Sequence, residues 1–190
     1  MFVIVFLVLA MVGTTVFFAK GIKEDQKAGG TTPICRVPES GRQFMVDTFG
    51  HCQTVEELLV AVDAYERKHF TYDKETLDGF IQTFDFQTLM ETNRGVCWEF
   101  AVFAKCAVNE IAKHKNWDVS VYVVSVRRDD DPSWHHAYNY VVAPEGIYVF
   151  DPTVGVCNKQ HRKLYRFDGD TVADIYAHAR EAGETVYELN

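Results

Sequence analysis

The chain has 190 residues, 47% apolar and 24% charged, which describes a globular protein with a real core and argues against intrinsic disorder. Its formal net charge is −8, and Arg127 and Arg128 are followed at once by Asp129, Asp130 and Asp131. There is no basic stripe, so nucleic acid is not an expected partner.

The first 19 residues are apolar or small and carry no charged side chain. At about 1.5 Å per residue a helix over Phe2 to Ala19 is just long enough to cross a bilayer core. The run lacks a basic leading region, and Phe17 and Phe18 crowd the cleavage position at Ala19. Two readings of 1–19 stay open, a secretory signal peptide and an uncleaved N-terminal membrane anchor. Either one exports the rest of the chain. Lys20, Lys23 and Lys27 complicate the orientation of an anchor. Residues 20–42, with their Gly, Lys, Thr and two Pro, read as a linker or arm, and 43–190 as one domain.

Thr54 and Glu57 have the spacing of a capping box, and Leu58, Leu59, Val62 and Tyr65 follow at helical period, predicting a helix to about Lys68. A second helix is predicted from about Lys74 to Glu91 with Leu77, Phe80, Ile81, Phe84 and Leu89 as its stripe, bent or interrupted at Asp78-Gly79. A third runs from near Gly95 to about His114. Its Phe100, Phe103, Ala104, Ala107, Val108 and Ile111 form a broad apolar face, which makes it central. The period then changes to two. Strands are predicted over 119–126, 137–143 and 147–151, the last two joined by Pro144-Glu145-Gly146 as a hairpin. A fourth strand is expected at 164–167, then a helix capped by Asp170 through Ala182, then a short strand near Val186. Helices first and strands later predict an α+β fold with an antiparallel sheet.

Five cysteines in an exported chain suggest one working thiol plus pairs. Cys97 is the odd one. Cys35, Cys52, Cys106 and Cys157 can form two disulfides in any of three connectivities, or remain free buried thiols.

Cys97 lies in Arg94-Gly95-Val96-Cys97-Trp98-Glu99-Phe100-Ala101, in the first turn of the third predicted helix. A thiol at neutral pH is mostly protonated and unreactive; a helix N-terminus and a neighbouring imidazolium both favour the thiolate. His136 can supply the imidazolium. Strand alternation puts His136, Tyr138 and Tyr140 on one face and turns His135 the other way. Asp151 ends the next strand of the hairpin, where a carboxylate can orient the ring. Cys106 is nine positions past Cys97, half a turn round the helix, and faces away. Cys157 and His161 have no paired Cys-x-x-Cys or His-x-x-x-His partner, so zinc is not expected.

Gly95-Val96-Cys97-Trp98-Glu99-Phe100-Ala101 resembles the active-site helix of transglutaminase-like proteins and, more distantly, of papain-like proteases. His136-Ala137-Tyr138 is similar to their His-Ala-aromatic strand, and Asp151-Pro152-Thr153 to the strand end with the third member. Cys97 and His136 are 39 residues apart and Asp151 is 15 further on, as in compact bacterial members. The resemblance covers roughly Thr54 to Thr153. It implies a papain/transglutaminase-like core with the nucleophile helix packed on the sheet, Cys97 as nucleophile, His136 as general base and acid, and Asp151 as orienting carboxylate. It further implies acyl transfer from an amide or ester of a protein or peptide through a thioester, with no cofactor. Tyr72 resembles a Tyr-Asp upstream in the family; Tyr72, Trp98 and Tyr138 are candidates for substrate or oxyanion contacts, beside the backbone N–H of Cys97. The alternative is a non-catalytic extracellular binding or structural module that retains the fold.

Overall fold

The structure is a computed structural model that describes residues 35–74, 84–131 and 133–190. The described elements belong to one unit, Thr32–Asn190. The expected membrane segment, most of the expected linker and the middle of the helix expected over 74–91 lie outside the described residues. Among the described residues no helix is long and apolar enough to cross a membrane.

The first helix, α1 (Glu39–Phe49), begins inside the span read as linker. Its buried positions are Gly41, Met45 and Phe49, spaced by four. Gly41 hides that stripe from a sequence reading. A Cβ there would lie 2.6 Å from Val37 Cγ1 and 2.7 Å from Phe86 Cε1, so the helix needs a glycine on its inner face. Helix α2 (Val55–His69) starts as expected: Thr54 Oγ1 accepts from Glu57 N at 3.1 Å. Glu57 Oε2 reaches one residue further back than expected, accepting from Gln53 N at 2.7 Å.

Of the helix expected over 74–91, the described part is α3 (Phe86–Thr92). Asp85 caps it, accepting from Gln87 N and Thr88 N, so Phe84 precedes the helix instead of joining its stripe. Two short strands, β1 (Thr71–Tyr72) and β2 (Arg94–Gly95), pair in parallel. Helix α4 (Cys97–Lys115) follows and ends at Asn116 in a left-handed conformation, φ 56°. All six positions of its predicted face are buried, and Ala101, Val102, Cys106 and Ala112 are buried as well. Each fully buried Phe on it contributes about 1.5–3 kcal/mol, so α4 is the axis of the core.

The sheet contains β3 (Ser120–Arg128), β4 (His135–Ala143), β5 (Gly146–Asp151), β6 (Lys163–Phe167) and β7 (Glu184–Leu189). Its order is β6-β5-β4-β3-β7, antiparallel throughout. The hairpin turn has Gly146 at φ 132°, where a Cβ would press to 2.8 Å on the Phe167 carbonyl oxygen. A short helix not anticipated from sequence, α5 (Pro152–Cys157), follows Asp151 directly, with Pro152 in its first turn. Helix α6 (Val172–Glu181) is capped by Thr171, not Asp170. Thr171 Oγ1 accepts from Asp174 N, and Asp174 Oδ2 accepts from Thr171 N, closing a capping box one residue later than expected.

The two faces of the sheet feed two cores. Val121, Val123, Ala137, Val141 and Phe150 pack with α4, while Val124, Val126, Tyr138, Tyr140 and Val149 pack with Ile175 of α6. The fold is α+β, with the cysteine-bearing helix on an antiparallel sheet, as expected. Helix α2 packs on α5 through Gly155, where a Cβ would stand 2.6 Å from Asp63 Oδ1 and 2.7 Å from Arg67 Nε. Both groups belong to ion pairs and cannot swing clear. Gly155→Ala is expected to lower stability by about 1–3 kcal/mol in urea unfolding; an unchanged midpoint would show that α2 and α5 slide apart freely.

Candidate active site

Cys97 is the first residue of α4 and is half-buried. The β1/β2 ladder sets where the helix starts. Thr71 N donates to Asn93 O at 2.8 Å and Asp73 N to Gly95 O at 2.9 Å, which fixes the chain up to Val96. Arg94 Nε meets Asp73 Oδ2 at 3.2 Å across the same ladder. The residue before the helix is Val96, whose side chain cannot accept a hydrogen bond. Only the reverse half of a capping box forms there: Val96 N donates to Glu99 Oε2 at 2.9 Å. The N–H groups of the first turn are therefore left without a side-chain cap, at the positive end of a 19-residue helix.

His136 and Asp151 reach the same point from the sheet. His136 Nε2 donates to Asp151 Oδ2 at 2.7 Å, with 14% of the imidazole and 2% of the carboxylate side chain exposed. The Cys97 side chain is the ring's other polar neighbour and favours its charged form. Nε2 being taken by Asp151, Nδ1 is the atom left to face the thiol. Burial by itself lowers the ring's proton affinity. The bonds and charges of Asp151 and Cys97 outweigh it and raise the pKa from 6.5 to about 9. The ring thus stays an imidazolium through neutral pH. Trp134 and Tyr138 wall it in, with ring centroids 5.3 and 5.9 Å away.

The structure brings Cys97, His136 and Asp151 together and sets His135 apart, against Tyr187 at 5.6 Å. Tyr72 stands beside the cluster on β1. Burial, then negative neighbours that include Cys97 and Asp151, push its hydroxyl up to about 12, so it remains an O–H donor. Trp98 is half-buried on the main core, and its Nε1 is buried without a hydrogen-bond partner among the described residues. Tyr138 is buried beside His136. It is 1% exposed, its hydroxyl donates to Glu184 Oε2 at 2.7 Å, and Lys163 Nζ lies 4.6 Å over its ring. Its ring lies against that of His136, 5.9 Å between centroids.

The cysteines differ from the two-disulfide expectation. All five are unbridged. Cys106 is buried on α4, on the far side from Cys97 as its helical phase requires, and Cys157 is exposed at the end of α5. Among the described residues no group of three or more His, Cys, Asp or Glu is placed to hold a metal ion.

Behind Asp151 lies a buried ionic layer that sequence reasoning missed. Asp63, on α2, is wholly buried and pairs with Arg67 Nη2 at 2.6 Å and Arg162 Nε at 2.8 Å. One turn on, Glu66 is wholly buried too, and neither of its oxygens has a hydrogen-bond partner among the described residues. Burial first, then the charges of Asp63 and Asp151, hold its pKa well above 4.5. Lys163 Nζ adds a cation 3.8 Å from Asp151 Oδ2. The signal was legible in principle: Leu59, Val62, Asp63 and Glu66 continue one inward face of α2 at steps of three, one and three.

No family model and no curated protein matches this chain. Solved structures similar to it include a candidate cysteine protease from Cytophaga hutchinsonii, at TM-score 0.47 and 16% identity over 78% of this chain and 46% of that one. A TGase is similar at TM-score 0.43 and 18% identity, over 67% and 36%. A candidate protease from Parabacteroides distasonis is similar at TM-score 0.43 and 10% identity, over 67% and 27%. The chain spans less than half the length of each of these proteins.

Unfolded, Glu66 loses its proton above about pH 4.5; folded, it keeps it well beyond. The stability this group permits is complete below pH 4.5 and declines as pH rises. Glu66→Gln, neutral in both states, is therefore expected to melt higher than the wild type at pH 7 and to lose that advantage near pH 4.5. An advantage that is independent of pH would contradict a protonated Glu66.

Proposed function

We propose that the protein is an exported thiol acyl-transfer enzyme of transglutaminase-like type, acting on amide carbonyls of proteins or peptides. The observation that carries the reading is the imidazole of His136 held between Asp151, at 2.7 Å, and Cys97. A carboxylate, a ring that stays charged at neutral pH and a thiol at a helix N-terminus together stabilise a thiolate–imidazolium pair. The motif resemblance around Cys97, His136 and Asp151 supports the same assignment. Export rests on the apolar run at 2–19, as a cleaved signal or a retained anchor.

In this mechanism the Cys97 thiolate attacks the carbonyl carbon. The developing oxyanion is met by the uncapped N–H groups at the start of α4, the N–H of Cys97 first, with the Tyr72 hydroxyl as a second donor. His136 gives its proton to the leaving amine, the C–N bond breaks and a thioester remains on Cys97. The neutral ring then takes a proton from water or from an incoming amine as that nucleophile attacks the thioester. The acyl group leaves as an acid or a new amide, and the thiolate–imidazolium pair is restored. Asp151 keeps the ring oriented throughout and favours its charged form. With water the outcome is peptidase or amidase activity; with an amine it is transglutamination.

Cys97→Ala is expected to abolish activity and selective iodoacetamide labelling, while Cys106→Ala keeps most of both; equal losses would sink the assignment. Incubating a glutamine-containing protein with a fluorescent primary amine separates transfer, read as incorporated label, from hydrolysis, read as released peptide or ammonia. Because the working form has a charged His136, kcat/KM is expected to turn down on the alkaline side near pH 9. Asp151→Asn removes a partner that raises the ring's proton affinity, so the residual activity should turn down at lower pH. An alkaline limb that ignores this substitution would remove Asp151 from the mechanism.

A further inference from the structure

The reaction proposed for Cys97 asks two opposed things of His136. The ring must stay charged beside the thiolate, yet it must release its proton to a leaving amine. Asp151, accepting from Nε2 at 2.7 Å, serves the first. A ring held too firmly in its charged form is a weak acid and fails the second. Lys163 stands where it can set the balance.

Lys163 opens β6, and its partner across the ladder is Asp151. Residues directly opposite in an antiparallel pair share a face of the sheet. The Lys163 side chain reaches across that face. Its Nζ lies 3.8 Å from Asp151 Oδ2 and 4.6 Å over the Tyr138 ring, which is itself 5.9 Å from the ring of His136. The segment ahead of Lys163 is braced from α2. Arg67 Nη1 donates to Lys159 O at 2.8 Å, and Arg162 Nε donates to Asp63 Oδ2 at 2.8 Å. An ammonium set over an aromatic ring at the end of a braced segment is held in place, although 32% of the side chain is exposed.

At 3.8 Å the ammonium is beyond hydrogen-bonding reach of Oδ2, so it acts on Asp151 by charge. The other titratable groups facing the carboxylate are already neutralised. From α2, Asp63 is paired with Arg67 and Arg162, and Glu66 keeps its proton. The Tyr72 hydroxyl of β1 and the Cys157 thiol of α5 are both pushed up by burial first and stay neutral at pH 7. Cys97 of α4 is the group that the ring itself serves. Among the described residues Lys163 is the lysine or arginine paired with Asp151. We propose that Lys163 is a positioning residue acting through Asp151: its charge offsets part of the carboxylate's hold on His136 and makes the imidazolium readier to give its proton to the leaving group. The proton still passes from His136 to the amine as the C–N bond breaks, and Lys163 neither gains nor loses one.

The role rests on the reaction assigned to Cys97, and its test reads the ring directly, without a substrate. The pH titration of the His136 imidazole is followed by NMR in the full chain, its signal assigned by its loss in His136→Gln. Lys163→Met, which keeps the stem and removes the charge, is expected to raise the midpoint by a few tenths of a pH unit, a modest shift because water screens a part-exposed ammonium. Lys163→Gln should move it the same way, and Lys163→Arg should leave it at the wild-type value. The alkaline limb of kcat/KM should follow the same order. A midpoint that Lys163→Met leaves in place or lowers, or that Lys163→Arg raises as far as Lys163→Met does, would overturn the role of Lys163 and leave the assignment of Cys97 standing. Full activity in Cys97→Ala would instead overturn that assignment, and this role with it, whatever the titration shows.

Discussion

The packing of α4 on one face of the sheet is the constraint on which the rest of the molecule depends. The helix carries Cys97 at its tip, and the sheet carries His136 and Asp151 at the ends of two strands. Small residues on α4, Ala101, Ala104 and Ala107, let it lie close to Ala137 and Val141. One polar contact is built into this apolar interface. Asn139 is wholly buried, and its Nδ2 donates to the Ala101 carbonyl at 2.9 Å. A buried amide left unpaired costs about 1–3 kcal/mol, so this bond favours one register of helix on sheet over its neighbours. A register shift of one residue would carry the thiol away from the imidazole.

Electrostatics around Asp151 form a second layer of support. The carboxylate faces His136 on one side and has Lys163 nearby, while two acids of α2 lie behind it. Asp63 is neutralised by two arginines, and Glu66 by holding a proton. Negative charge is thereby concentrated on the one carboxylate that meets the ring. The rise of His136 to about 9 comes from Asp151 and Cys97 acting against burial.

The five cysteines occupy different chemical settings. Cys97 is at a helix tip beside an imidazole, Cys157 is exposed at the end of α5, and Cys52 is buried with its sulfur 3.9 Å from His51 Nε2. Cys106 is buried within α4, and Cys35 is half-buried just ahead of α1. The sequence states only their number and spacing; reactivity belongs to the surroundings, which the fold supplies.

Much of the fold was written in local patterns. Periodicity located α2, α4 and the strands because those segments bury continuous stripes, and the alternation in β4 separated His136 from His135 without any contact being known. The motif around Cys97 was legible because a glycine, a helix start and a cysteine are adjacent in the chain. Other features depended on residues distant in sequence. Helix α1 was hidden because its inner face includes a glycine whose value is the space it leaves for Val37 and Phe86. Helix α5 is too short to show a period. Thr171 took the cap from Asp170 because the choice is set by backbone geometry, not by residue type alone. Tyr138 shares a strand face with His136, yet only the tertiary structure showed its hydroxyl committed to Glu184. By itself the sequence determined which residues could react and on which elements they ride. The three-dimensional packing decided which of them meet, because charge, burial and hydrogen bonding act across space between segments the chain keeps far apart.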